Sequence, residues 1–430
     1  MFASLSVPNY RRYFFGILTS NTGNWMGRTA LAWLVLMVLT DQDATALGTV
    51  TAVLFLPSLL LSPVGGALAD RFSKRALMIT SQSVMAANML TLGLLTVTGQ
   101  VALWHVAICA LIDGTASAVD APARQAFVSE LVPNEHLPNA IGLNSTSFNT
   151  ARLLGPGIAG VLILVLGTGG VLLLNAATYI GVILALASLD RSALHRSDRT
   201  RAPGGIVAGV RYIRSQPYIV LILLIAAAMG LFGLNYQMTN VMMAGMEFGK
   251  GAGEFGLLGT IMAIGTLAAA LLAARRKHPR LLVIMVAMAV FIIATLASAI
   301  APTYWLFALL LIPCGLAAIT TMITCNSLLQ LTSDPAYRGR VMSVYLLVFL
   351  GSTPLAAPVI GWTGDTLGPR WALGLGGLAL AVVWLAAALY LARAEDLAVR
   401  LDPGKRPLPV IIERGISAAP PSDAPPQHPG

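Results

Sequence analysis

Between Tyr13 and Ala392 the chain is a succession of apolar stretches, mostly 20 or more residues long, divided by short polar connections. A bilayer core of roughly 30 Å is crossed by about 20 residues of α-helix, and backbone exposed to lipid must satisfy its N–H and C=O groups internally. Barrel strands need only about 10 residues and alternate apolar with polar, which these stretches do not. The fold class is therefore an all-α integral membrane bundle. Twelve windows qualify: 13–40, 47–69, 76–98, 102–122, 138–166, 170–189, 218–243, 253–274, 280–300, 303–326, 338–363 and 371–392. Composition agrees, since 57% of the 430 residues are hydrophobic, 10% are charged and mean hydropathy is +0.78. Soluble domains lie far from those values.

The first window is too long for the apolar core of a cleavable signal and carries Asn21, Asn24 and Arg28, so it is expected to stay in the protein. Cys109, Cys314 and Cys325 fall inside windows without metal-ligand spacing and read as small buried apolar groups; neither metal nor cofactor is expected. There is no Walker-type Gly-Lys-Ser/Thr, Gly-x-Ser-x-Gly or His-Glu-x-x-His stretch, which disfavours ATP drive and hydrolytic chemistry. The expectation is a protein that is not an enzyme.

A net charge of +9 would suit nucleic acid if it formed a stripe, but the basic residues are scattered over short connections. Arg28, Arg152, Lys250 and Arg370 fall within windows or on one side, and the remaining Lys and Arg on the other. The positive-inside rule makes that other side cytoplasmic, with both termini there, in a cell membrane whose anionic head groups the cations meet. The connection Asp190–Gln216 contains six arginines and divides the windows six and six. This organises the chain as a half at 1–189, a cytoplasmic linker at 190–217, a second half at 218–392 and a Pro-rich tail at 393–430 expected to be disordered. Shifting the chain by 202 residues places Pro133 on Pro335 and Pro156 on Pro358. Such halves, related about the membrane normal, alternate access to a midplane site.

The connection after the second window reads "GGALADRFSKR" (65–75). It resembles the loop signature of the major facilitator superfamily through Gly66, Leu68, Asp70, Arg71, Lys74 and Arg75, with Ser73 where Gly is commonest. "DAPARQAFVSELVP" (120–133), "NAIGLNSTSFNTARLLGPGIAG" (139–160) and "YRGRVMSVY" (337–345) are similar to the branch that holds the enterobactin exporter and macrolide-type efflux proteins. The resemblance implies twelve helices in two pseudo-symmetric six-helix halves and transport of the drug:proton antiporter type. It also implies that Asp70 engages the start of the eleventh span, near Arg338 and Arg340, when the cytoplasmic gate is shut. The corresponding stretch of the second half, "ALLAARRKHPR" (270–280), has Ala274 near the position of the aspartate. In the fifth span Gly142, Ala151, Gly155, Pro156, Ala159 and Gly160 resemble an exporter-associated motif, with alanine twice where glycine is usual. Gly155, Pro156 and Gly160 either seal a gate or serve generic close packing.

A charge at mid-bilayer costs at least about 2.5–3.5 kcal/mol and needs a partner or a task. Arg28, Asp113 and Arg152 lie near the middles of spans 1, 4 and 5. The resemblance puts spans 1, 4, 7 and 10 around the cavity, so Asp113 is either a protonation site neutralised by Arg28 or Arg152 in one state, or half of a static ion pair. Asp120 and Arg124 are spaced as an i,i+4 pair, for structure or for gating. Candidate substrate contacts are Asn21, Asn24, Asn235, Tyr236, Asn240, Thr321 and Asn326, each of which could instead serve as interhelical glue.

These expectations make a secondary active exporter of an amphipathic small molecule (drug, macrolide-like or siderophore), coupled to protons and monomeric. An importer, or a sensor or scaffold that does not transport, are the competing readings.

Overall fold

The computed structural model describes residues 3–195, 206–275, 279–334, 337–394, 397–401 and 410–414. The helices are α1 (Pro8–Trp33), α2 (Ala44–Arg71), α3 (Lys74–Val97), α4 (Leu103–Leu131), α5 (Leu137–Ala187), α6 (Ile206–Arg214), α7 (Pro217–Ala228), α8 (Tyr236–Met242), α9 (Ala252–Arg275), α10 (Leu281–Ala299), α11 (Tyr304–Thr332), α12 (Arg338–Leu367) and α13 (Pro369–Ala394). Among the described residues ten helical stretches are long and apolar enough to cross a membrane. Two features separate that count from twelve. The stretch Asn134–Ala187 breaks at Gly167 (φ 67, ψ 174), a left-handed backbone that glycine adopts without steric cost, so it runs as two helices. The first helix continues in π geometry through Leu34–Leu39 but carries Asn21, Asn24 and Arg28, which lower its apolarity.

Local chemistry sets the helix ends. Asp43 accepts the Ala46 N–H at 2.8 Å at the start of α2, and Thr303 accepts the Leu306 N–H at 3.3 Å at the start of α11. Ser73 explains its departure from the commonest loop pattern. Its φ is −61°, which demands no glycine, and its hydroxyl caps α3 by accepting from Ala76 N at 3.4 Å. The seventh span is interrupted: α7 passes through a π turn at Met229–Gly233, resumes as α8 and ends in a second π turn at Met243–Glu247. Asn235 fills the break, its amide donating to the Leu231 carbonyl at 3.0 Å. π turns and breaks free backbone groups and turn side chains toward an interior.

Helices α1 to α5 pack among themselves and α7 to α13 among themselves, while α2 against α12 and α5 against α9 form the two main seams between the halves. Large apolar side chains such as Val165, Ile293 and Leu355 cover the outside, as a lipid solvent requires. Two further elements lie at the ends of the halves. The linker holds the short helix α6, packed on the start of α12, and residues 196–205 of it lie outside the described residues. The tail, expected to be disordered, pairs strand β1 (Leu397–Leu401) antiparallel with β2 (Val410–Arg414). The rest of the tail lies outside the described residues.

Candidate functional site: a cavity sealed on one side

A cavity of about 270 Å³ lies between the halves, lined by α1, α2 and α5 from one and by α8, α9, α11 and α12 from the other. The interrupted seventh span supplies Asn235, Tyr236 and Asn240, all three expected there. Arg28 and Arg152 enter from α1 and α5. Trp25, Phe55 and Phe255 give aromatic walls, and the latter two carry no pattern that marks them in sequence. Tyr236 points its hydroxyl away, to Thr295 at 2.8 Å, leaving its ring on the cavity. Asn240 is 3% exposed and its Oδ1 has no hydrogen-bond partner.

Four of the expected contacts lie outside the central cavity: Asn24 lines a small cavity beside Asp113, and three others face neighbouring helices or their own. Asn21 faces α4 and α5, accepting from Arg124 at 2.8 Å and donating to Ser147 at 3.3 Å. Thr321 is fully buried and bonds its own helix at the Ala317 carbonyl, the usual recourse of a mid-helix threonine. Asn326 accepts from Gln330 one turn on. None of the three lines the central cavity.

Asp113 occupies a second, small cavity of about 20 Å³ behind α1, which it shares with Asn24, Arg28, Asn175 and Tyr179. It is 7% exposed, its Oδ1 has no hydrogen-bond partner, and among the described residues it makes no ion pair. The direct pair expected with Arg28 or Arg152 is therefore absent. Arg28 instead donates to Asn24 Oδ1 at 2.9 Å and lies over the rings of Phe55 (5.2 Å) and Trp25 (5.8 Å). It lines both cavities and forms the wall between them. Arg152 lines only the central one; its Nη2 donates to Asn149 at 3.1 Å and its Nε is buried without a partner.

The Asp120–Arg124 pair forms as spaced, at 2.6 Å, and is buried. Ser81 and Gln82 of α3 donate to Asp120 at 2.9 and 3.0 Å, and Arg124 reaches Asn21 of α1. Four helices are joined at one fully satisfied charge cluster. In the α2–α3 connection, Lys74 pairs with Glu130, and Arg75 donates to the Leu186 and Ala187 carbonyls at 2.6 and 2.9 Å. A cation at a helix C-terminus meets unsatisfied carbonyls and the negative end of the dipole. Asp70 and Arg71 are exposed, Asp70 makes no ion pair among the described residues, and the Arg340 guanidinium lies over Tyr337 at 5.1 Å.

The opposite end, near Asp43, is shut. Asp365 of α12 accepts the N–H groups of Ala44 and Thr45 at 2.7 Å each and also the Thr45 hydroxyl, so one half caps the α2 helix of the other. Trp33 stacks on Phe255 at 5.9 Å across the same end. Below it α5 and α9 touch backbone to backbone: a Cβ on Gly160 would stand 2.8 Å from the Ala252 carbonyl, whereas Gly155 faces α1 of its own half, where a Cβ would stand 2.5 Å from Trp25 Cβ. Pro156 packs against Gly259. Pro156 and Gly160 thus lie in a seam between halves, and Gly155 in the packing of one half. Asp365 was missed in the sequence, although an acid in the last turn of a helix opposes that helix's own dipole and signals an outside partner.

The profile of the transmembrane secretion effector family matches residues 1–408. The staphyloferrin A transporter of Staphylococcus aureus is 27% identical over 366 residues, 80% of this chain and 87% of that protein. The multidrug efflux pump Tap of Mycolicibacterium fortuitum is 26% identical over 413 residues (90% and 97%), and the enterobactin exporter EntS of Citrobacter koseri 24% over 330 (75% and 77%). Among solved structures, a bacterial homologue of the human lysosomal transporter Spinster in an inward-facing, unoccupied conformation superposes with a TM-score of 0.73 at 16% identity, over 89% of this chain and 98% of that one. Such a likeness carries the fold. With its helical bundle, its membrane cavity and this match along nearly its whole length, the chain belongs to the major facilitator superfamily, in the transmembrane secretion effector family, and is a multi-pass membrane transporter and not an enzyme.

Proposed function

We propose that the protein is a secondary exporter that carries an amphipathic small molecule out of the cell by alternating access, while protons enter through Asp113. One observation carries the reading: a buried carboxylate with a partnerless oxygen sits behind Arg28, and Arg28 also lines the central cavity. A carboxylate beside a guanidinium gives up its proton, and one left in apolar surroundings keeps it. Movement of Arg28 from Asn24 toward Asp113 expels the proton; its return lets the carboxyl reload. Since the same side chain forms a cavity wall, proton binding and cavity shape are linked. The efflux pump and the enterobactin exporter among the relatives support an outward direction.

In this cycle the twelve passes divide into halves 1–189 and 218–392, with both termini on the cytoplasmic Asp70 side of a bacterial inner membrane. The Asp43 side is the outer gate, closed by the Asp365 cap and the α5–α9 seam. When it opens, the inner side shuts, and Asp70 meets Arg338, Arg340 or the N-terminus of α12. The test is proton movement in proteoliposomes during efflux of lipophilic drugs and siderophores. Asp113→Asn abolishes cargo-driven proton movement and leaves cargo binding within about twofold; coupling equal to that of the parent protein overturns the role of Asp113.

A further inference from the structure

The central cavity holds a charge without a countercharge. Arg152 has one hydrogen-bonded partner, the neutral Asn149, its Nε is buried and unpartnered, and it makes no ion pair among the described residues. Arg28 has Asp113 beside it in the small cavity, whereas among the described residues no Asp or Glu lines the central cavity. A guanidinium deep in a membrane protein is costly when unpaired, so its partner arrives from outside. The planar fork selects oxyanions, above all carboxylates, which it grips with two parallel hydrogen bonds. The surroundings describe the rest of that partner. Trp25 and Phe55 from one half and Tyr236 and Phe255 from the other offer ring faces. Across the cavity, Asn240 Oδ1 is a buried acceptor with no donor.

We propose that the cargo of this exporter is an aromatic or otherwise apolar anion, whose carboxylate docks on Arg152 and whose body lies across the aromatic walls and donates a hydrogen bond to Asn240. This rests on the exporter reading only for the direction of travel. An anion bound at Arg152 leaves Arg28 and Asp113 to each other, so cargo and proton occupy separate groups. It also moves outward with an inside-negative potential, in contrast to a lipophilic cation.

The probes are 2-naphthoate and its isosteres 2-naphthalenemethanol and 2-naphthylmethylammonium, measured by equilibrium binding to the full chain in phosphatidylcholine nanodiscs. The anion binds at least about tenfold more tightly than either isostere, the scale of a charge-assisted pair. Arg152→Gln removes that preference and leaves the affinity for the alcohol unchanged, while Arg152→Lys retains part of it. A merely structural arginine would lower all three affinities together. Equal binding of the cation or the alcohol, absence of naphthoate binding, or an unaltered preference in Arg152→Gln overturns the proposal. Displacement of naphthoate by phosphatidylglycerol in the discs overturns the assignment to a soluble cargo and gives the site to a lipid phosphate. Arg152-dependent binding without outward transport would leave the anion site standing and sink the exporter reading.

Discussion

At the scale of single residues, charges on one helix and charges on different helices behave differently. The four-residue spacing of Asp120 and Arg124 made their pairing legible, because the α-helix puts such positions on one face. The helices that surround the pair were not legible, and so Asn21 read as a cavity residue when it is a ligand of Arg124. Its neighbour Asn24, one turn along, does belong near the cavity, as the acceptor that holds Arg28 off Asp113. The cluster predicts an asymmetry. Asp120→Ala strands a buried Arg124 and should cost about 3–5 kcal/mol, seen as a large fall in thermal unfolding temperature in detergent. Asp120→Asn keeps one acceptor oxygen for Arg124 and turns its NH2 toward Ser81 and Gln82, so it should cost less than the alanine; equal losses would show that the charge, and not the remaining hydrogen bond, is what the site supplies.

At the scale of elements, the glycine pattern of α5 announced a close helix contact without naming its partner. For Gly160 that partner is α9 of the other half and for Gly155 it is α1 of its own, which is why the same pattern concerns both packing and movement. The glycines are not equivalent, and this yields a paired prediction. A Cβ at Gly142 meets nothing within 4 Å, whereas one at Gly160 meets the carbonyls of Ala252 and Gly253 at 2.8 and 3.0 Å, main-chain atoms that cannot swing aside. Gly160→Ala should therefore destabilise the seam by about 1–3 kcal/mol, the cost of overpacking. Efflux should fall with it, and Gly142→Ala should behave as the parent in both assays. The break between α7 and α8 was invisible in hydropathy because its residues are as apolar as their neighbours; only the cluster Asn235, Tyr236 and Asn240 hinted at it.

At the scale of the whole molecule, the bundle is shut at the Asp43 end and bears exposed acidic and basic side chains at the Asp70 end. Sequence showed a bundle of membrane-crossing helices, because that follows from solvent. It did not show which end is closed, since alternating access requires one chain to stabilise both arrangements and to differ between them by only a few kcal/mol. Asp365 is then a weight on one side of that balance. Asp365→Asn weakens three charge-assisted bonds and should shift the equilibrium toward an open Asp43 end by at least roughly tenfold, since each such bond contributes about 1.5–3 kcal/mol. Electron–electron distance measurements between labels at Thr49 and Trp362 would read this as a longer population; an unchanged distribution would remove Asp365 from the gate.

That cap has a consequence for how the two halves can diverge over generations. Most contacts between moving parts bind side chain to side chain, so a change on one surface demands an answer on the other. Asp365 grips the main-chain N–H groups of Ala44 and Thr45, which nearly every amino acid presents alike. The main-chain part of the cap therefore survives a change at Thr45, which costs only the hydroxyl bond, whereas buried Ala44 has no room for a larger side chain. Proline, the one residue without that N–H, marks the limit of the change at Thr45.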